Sequence, residues 1–168
     1  MPQVTHLHSS RYSTPEELPP GSVLVVGASS SGIQIADELR RAGREVTLSV
    51  GKHIRLPRTW RGEDIFRWLD RIGLLSQKTS EVADLQAAKR QPSLQLVGRP
   101  DRETIDLPTL QKAGVRLAGR IVAAEGGQLW LARDLKENVA AAEAKLRRIL
   151  STIETAEDRP VPTLTHDL

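Results

Sequence analysis

The sequence runs to 168 residues, with 24 Lys+Arg against 21 Asp+Glu, 39% hydrophobic residues and no cysteine, which is enough for one domain burying roughly 70% of its unfolded surface without disulfide staples. The lack of cysteine excludes a disulfide framework, a thiolate metal site and a cysteine nucleophile, and no apolar stretch is longer than Val23 to Val26, far short of the ~20 residues of a membrane span. A net charge of +3 spread over a mixed chain lacks the basic face of a nucleic-acid binder, and MPQVTHLHSS has no apolar signal core, so the expectation is a cytoplasmic protein with neither nucleic acid nor membrane as partner.

In chain order, Ser22-Val23-Leu24-Val25-Val26 is the kind of aliphatic and β-branched run that forms a parallel strand covered on both faces. Gly27 to Gly32 is a turn. Beyond it Ile33, Ile35, Ala36 and Leu39 set a helical apolar stripe, and Gly43 stands where a C-terminal cap belongs. Glu45 to Val50 reads as a second strand. Gly51 to Gly62 contains Pro57 and the basic run Lys52, His53, Arg55, Arg58 and Arg61, and is expected to be loop. Ile65, Phe66, Leu69 and Ile72 fall at helical spacing closed by Gly73, and Thr79 to Arg90 is a weaker helix. Leu94 to Val97 reads as a short strand, and Pro108 lies near the start of a short helix that Gly114 ends. Val115 to Leu117, Ile121 to Ala123 and Leu129 to Leu131 read as strands, the last two joined by a Gly126-Gly127 hairpin turn. From about Arg133 to Thr155, Leu135, Val139, Ala142, Leu146, Ile149 and Ile153 place one apolar stripe on a long helix, for core packing or a dimer contact. After Glu154 the composition turns to Thr, Asp and Pro, a flexible tail over 156–168.

The chemistry concentrates at the first turn. A strand that ends in glycine and opens a helix aims unpaired N–H groups and the positive end of the helix dipole at one point, an anion site that commonly receives a pyrophosphate. In Gly27-Ala28-Ser29-Ser30-Ser31-Gly32, Gly27 permits the tight turn and Gly32 the close helix packing, while Ser29 replaces the middle glycine of G-x-G-x-x-G. The end of the second strand then selects the dinucleotide: an acid there accepts from the ribose 2′-OH of NAD, whereas NADP needs cations for its 2′-phosphate. Thr47 through His53 holds no acid; Ser49 and Lys52, with Arg55 and Arg58 further on, are the candidate 2′-phosphate ligands, and NADPH is favoured over NADH. The expected architecture is α/β: a Rossmann-like NAD(P)-binding domain with a parallel sheet, a small β-hairpin and a long C-terminal helix.

Two other chemistries compete. As the nucleophile of an α/β-hydrolase elbow, G-x-S-x-G, Ser29 has the first glycine but Ser31 at the last position, and its candidate histidines are His53 and His166. His6 and His8, at i, i+2, could share a strand face, without a third metal ligand nearby.

His8-Ser9-Ser10-Arg11-Tyr12, the Pro19-Pro20-Gly21 turn and Val23 to Gly32 together resemble the segment of flavin-containing monooxygenases that leads into their NADPH-binding domain. His8, Ser9 and Tyr12 match the second half of the family fingerprint Phe-x-Gly-x-x-x-His-Ser/Thr-x-x-Tyr/Trp, with Pro2 and Val4 at the Phe and Gly positions. Arg55 to Phe66 also looks like bacterial flavoproteins of this group. The resemblance implies an enzyme that passes hydride from NADPH to FAD, whose reduced form activates O₂. It implies that Gly27, Ala28, Ser29, Ser30, Ser31 and Gly32 cradle the pyrophosphate, that Ser49, Lys52, Arg55 and Arg58 face the 2′-phosphate, and that His8 and Tyr12 belong to an interdomain hinge. The family needs two glycine-rich dinucleotide turns and this sequence has one. The expectation is therefore a hinge segment over 1–20 from an absent FAD domain and the NADPH-binding domain over 21–155. Its partners would be NADP(H) and that FAD domain, or a homodimer mate along helix 133–155. The alternative is a stand-alone nicotinamide-nucleotide sensor that docks through the same helix.

Overall fold

In the computed structural model, which describes residues 4–92, 94–97 and 104–157, the aliphatic run forms strand β1 (Val23–Val26), followed by helix α1 (Ser30–Arg41) and strand β2 (Val46–Ser49). The strands pair parallel, Val23 with Val46 through Val26 with Ser49. Gly43, at φ +80°, adopts the left-handed conformation that closes α1. Only Val25 of β1 is buried and Val26 is 65% exposed. β1 therefore lacks the two-sided cover expected of it, and it lies at the edge of a parallel sheet ordered β1-β2-β7.

The stretch expected as loop carries pairing. Strand β3 (Ile54–Arg55) precedes a tight hairpin of β4 (Thr59–Trp60) and β5 (Glu63–Asp64), whose two connecting residues, Arg61 (φ +49°) and Gly62 (φ +81°), both take positive φ. That is the twist-matched geometry of a two-residue hairpin, obscured in sequence by an arginine at its first position. Helix α2 (Ile65–Arg71) starts on Asp64, whose carboxylate accepts from Phe66 N–H at 2.9 Å. The weak helix over Thr79 to Arg90 resolves into a 3-10 turn, Thr79–Glu81, and a five-residue helix α3 (Leu85–Lys89). Strand β6 (Leu94–Gln95) pairs parallel with β3. Helix α4 (Leu107–Lys112) is capped by Asp106, and strand β7 (Arg116–Ala118) pairs parallel with β2. Strands β8 (Ile121–Glu125) and β9 (Gln128–Leu131) form the Gly126-Gly127 hairpin, and α5 (Leu135–Glu157) is the long helix.

Two apolar clusters hold these elements together. One joins Val25, Val46 and Leu48 of the sheet to Ile33, Ala36 and Leu39 of α1 and to Leu107 and Leu110 of α4. The other joins Leu56 to Ile65, Trp68 and Leu69 of α2 and to Leu146 and Ile153 of α5. The α5 stripe is thus spent on the chain's own core, while Val139 stays partly exposed. The architecture is mixed α/β with short parallel sheets, and no helix among the described residues is long and apolar enough to cross a membrane. Most of the 156–168 tail, His166 included, lies outside the described residues.

Candidate functional site: the glycine turn and the end of the second strand

Gly27 takes φ +101°, a conformation that L side chains rarely adopt, and its N–H donates to Ser49 C=O at 2.9 Å, pinning the turn beside the end of β2. Gly32 is required by space: a Cβ there would run into the Gly27 carbonyl. Helix and turn therefore approach as closely as a glycine allows, and Ala28 between them is buried. The first intrahelical bond of α1 runs from Ile33 N–H to Ser29 C=O at 3.0 Å, and the Ser29 side chain makes no capping bond. The N–H groups of Ser30, Ser31 and Gly32 are consequently those a helix start leaves for an outside acceptor.

The serine hydroxyls divide by environment. Ser31 is exposed and Ser29 half-buried. Ser30 Oγ donates to Leu94 C=O at 2.6 Å and accepts from Leu96 N–H at 3.3 Å, so it ties the 94–97 segment to the turn. The same segment supplies a residue that sequence reading missed. Gln95, 1% exposed, donates from Nε2 to Ala28 C=O at 2.6 Å, while its buried Oε1 has no partner among the described residues. A lone glutamine in a short strand carries no periodic or motif signal that marks it beforehand.

The basic run behaves differently from its reading as a 2′-phosphate pocket. Ser49 is 2% exposed, and its hydroxyl donates to Gly119 C=O at 3.0 Å, which takes it out of reach of a ligand. Arg55 is clamped between two carboxylates, Asp106 at 3.0 Å and Glu143 at 2.9 Å. Arg58 pairs with Asp64 and lies over the Phe66 ring, 5.7 Å from its centroid. Arg61 reaches Glu154 at 3.3 Å. These arginines join α2, α4 and α5 to the loop because each helix presents a carboxylate to it, a distribution that spacing along the chain does not reveal. Lys52 is exposed, with no ion pair among the described residues. His53 is buried beside it with Nδ1 2.9 Å from Gly51 C=O; burial pushes its pKa down, the Gly51 bond opposes this, and the Arg55 charge adds to the lowering.

Another cation sits at this end of β2. Arg120, on the turn after β7, lays its Cγ and Cδ over Gly51, at 3.4 and 3.5 Å from where a Cβ would be. Its Nε donates to Asp134 Oδ2 at 2.6 Å and its main-chain N–H to Asp134 Oδ1 at 3.1 Å, bonds that hold the Asp134 carboxyl below the usual carboxylate range. Gly119 must be glycine, since a Cβ would collide with the Ala132 carbonyl and the Asp134 carboxylate. Asn138 of α5 closes the corner by donating to Val50 C=O at 3.2 Å.

On the N-terminal side, Tyr12 donates to Glu38 Oε2 at 3.1 Å, which together with burial raises its pKa, and Arg44 gathers the carbonyls of Pro15, Leu18, Pro19 and Gly21. His8 caps a 3-10 turn, accepting at Nδ1 from Ser10 N–H at 3.3 Å. Among the described residues no hydrogen bond joins Ser29 to a histidine, and no cluster of three His, Cys, Asp or Glu side chains could hold a metal.

Over 75 residues, 44% of this chain and 21% of the relative, the sequence is 49% identical to a protein of Geobacillus kaustophilus named uncharacterized oxidoreductase CzcO-like. Over about half its length, this chain is a relative of oxidoreductases. The proteins named uncharacterized oxidoreductase CzcO are 41% identical over 73 residues in Bacillus velezensis and 36% identical over 90 residues in Bacillus subtilis. The matches cover 21% to 26% of the length of these relatives. No family model and no solved structure matches the chain.

Proposed function

We propose that the chain is a Rossmann-type NADPH-binding portion of a flavin-dependent, monooxygenase-like oxidoreductase. The observation that carries the reading is the turn itself: Gly27 at φ +101°, Gly32 with no room for a Cβ, and the N–H groups of Ser30, Ser31 and Gly32 at the start of a 12-residue helix. These residues fit a pyrophosphate, because charged oxygens are stabilised where backbone donors and the helix dipole coincide. The absence of an acid from Thr47 to His53, beside the turn, favours the 2′-phosphorylated dinucleotide. When bound, NADPH would supply a hydride for transfer to a flavin. The chain's own residues bind and orient: Gly27 and Gly32 set the cradle, and Ser30 and Gln95 hold the 94–97 segment against it. The FAD-linked oxygenation is supported by the family resemblance, and oxidoreduction also by the names of the relatives.

Calorimetric titration of the chain with NADPH and NADH tests the reading. Tighter binding of NADPH is the expected result. Binding of neither nucleotide below about millimolar, a Kd corresponding to about −4 kcal/mol, would overturn it.

A further inference from the structure

Resting on that reading, we infer that Arg120, steered by Asp134 and assisted by Lys52, is the guanidinium that selects a 2′-phosphorylated nucleotide, in place of the basic run's arginines. Specificity needs a cation that is held in place, reachable and not already neutralised on every edge. Arg55 and Arg58 fail this test, since Arg55 already meets two carboxylates and Arg58 meets Asp64 and the Phe66 ring.

Arg120 passes it. Its side chain is 57% exposed, and Asp134 takes only the Nε edge, which leaves Nη1 and Nη2 without a partner among the described residues. A guanidinium presents five donors in a rigid fork, so one edge can be anchored while the other meets two phosphate oxygens. The Asp134 carboxylate repels an incoming phosphate as well as orienting the arginine, and exposed Lys52, next in the chain to the Gly51 that Arg120 covers, supplies a compensating charge. The corner is built rather than accidental. Ser49 Oγ donates to Gly119 C=O at 3.0 Å, Val50 N–H to Ala118 C=O at 2.8 Å, and Ala132 N–H to Arg120 C=O at 2.8 Å. Those bonds place Arg120 over Gly51, two residues beyond the Ser49 carbonyl that holds the Gly27 turn. Gly51 and Gly119 are small where the arginine and its anchor need room.

The test uses fragments that isolate the phosphate, 2′,5′-ADP and 5′-AMP, titrated against the full chain, Arg120→Gln, Arg120→Lys and Arg55→Gln. The expected result for R120Q is about a tenfold loss for 2′,5′-ADP, the scale of one charge-assisted contact, with 5′-AMP changed less than about twofold. R120K should fall between, retaining the charge but not the anchored fork, and R55Q should leave the ratio of the two affinities unchanged. If folded R120Q keeps the wild-type preference for 2′,5′-ADP, the assignment to Arg120 is overturned while the nucleotide reading stands. If R120Q loses both ligands equally, Arg120 has no selective role. If the wild-type chain binds 5′-AMP as tightly as 2′,5′-ADP, the 2′-phosphate preference falls and the assignment with it; if it binds neither, the nucleotide reading falls as well.

Discussion

Two groups of cations flank the end of β2, and they do opposite things with the same chemistry. Arg55, Arg58 and Arg61 each find a carboxylate on a neighbouring element and knit α2, α4 and α5 to the segment that follows β2. Lys52 and Arg120 remain accessible, one with no ion pair among the described residues and the other anchored along a single edge. Count and proximity in sequence favoured the first group, because its three arginines fall within seven residues of one another. Arg58 finds Asp64 nearby, but the carboxylates that take up Arg55 and Arg61, Asp106, Glu143 and Glu154, lie far along the chain. A guanidinium is available to a ligand only where the fold has left it an unspent edge.

That contrast can be broken at several points. The largest effect belongs to the cradle that both groups flank: Gly32→Ala puts a methyl into the Gly27 carbonyl, and thermal or urea unfolding should show a loss of about 3 kcal/mol, together with loss of nucleotide binding. A G32A chain of wild-type stability that binds NADPH normally would remove the structural basis of the cradle. Next is Arg55→Met, which strands Asp106, whose side chain is only 12% exposed, and frees Glu143. Partial solvent screening of this clamp sets the expected cost at about 2 kcal/mol by urea denaturation, while the preference for 2′,5′-ADP over 5′-AMP stays as in wild type. A collapse of that preference would return Arg55 to the ligand site.

Ser49→Ala deletes one buried hydrogen bond, to Gly119, and should cost about 1 kcal/mol with selectivity untouched. A selective loss of 2′,5′-ADP in S49A would mean that the hydroxyl turns toward ligand after all. The smallest effect lies in pH dependence. Burial depresses the His53 pKa in the folded chain, so the unfolded chain takes up the proton first as pH drops through the ordinary imidazole range near 6.5. Stability is therefore full above that range and declines below it, until the folded imidazole itself titrates. His53→Gln should flatten this part of a stability profile measured between pH 8 and about 5; an unchanged slope would show that another group titrates there.

The turn and its flanking elements were legible because every cue is local. A strand of aliphatic residues, a glycine forced to positive φ and a helix stripe all follow from backbone sterics and from side-chain periods only a few residues long. The Arg61-Gly62 hairpin escaped notice because a non-glycine residue occupies its first positive-φ position. Gln95 escaped because a buried polar side chain acquires meaning only from the carbonyl it meets, here that of Ala28. The long helix was legible as amphipathic, but not the identity of what its stripe covers.

By itself, then, the sequence determined where the N–H groups of a helix start gather, Ser30 to Gly32 after Gly27, and that Thr47 to His53 carries no acid. Tertiary structure alone decided which charges remain at that end. Arg120 is brought over Gly51 by the parallel pairing of β2 with β7, and Arg55 is withdrawn by helices α4 and α5. Backbone conformation is set by neighbours in the chain, whereas the partner of a charge is set by neighbours in space.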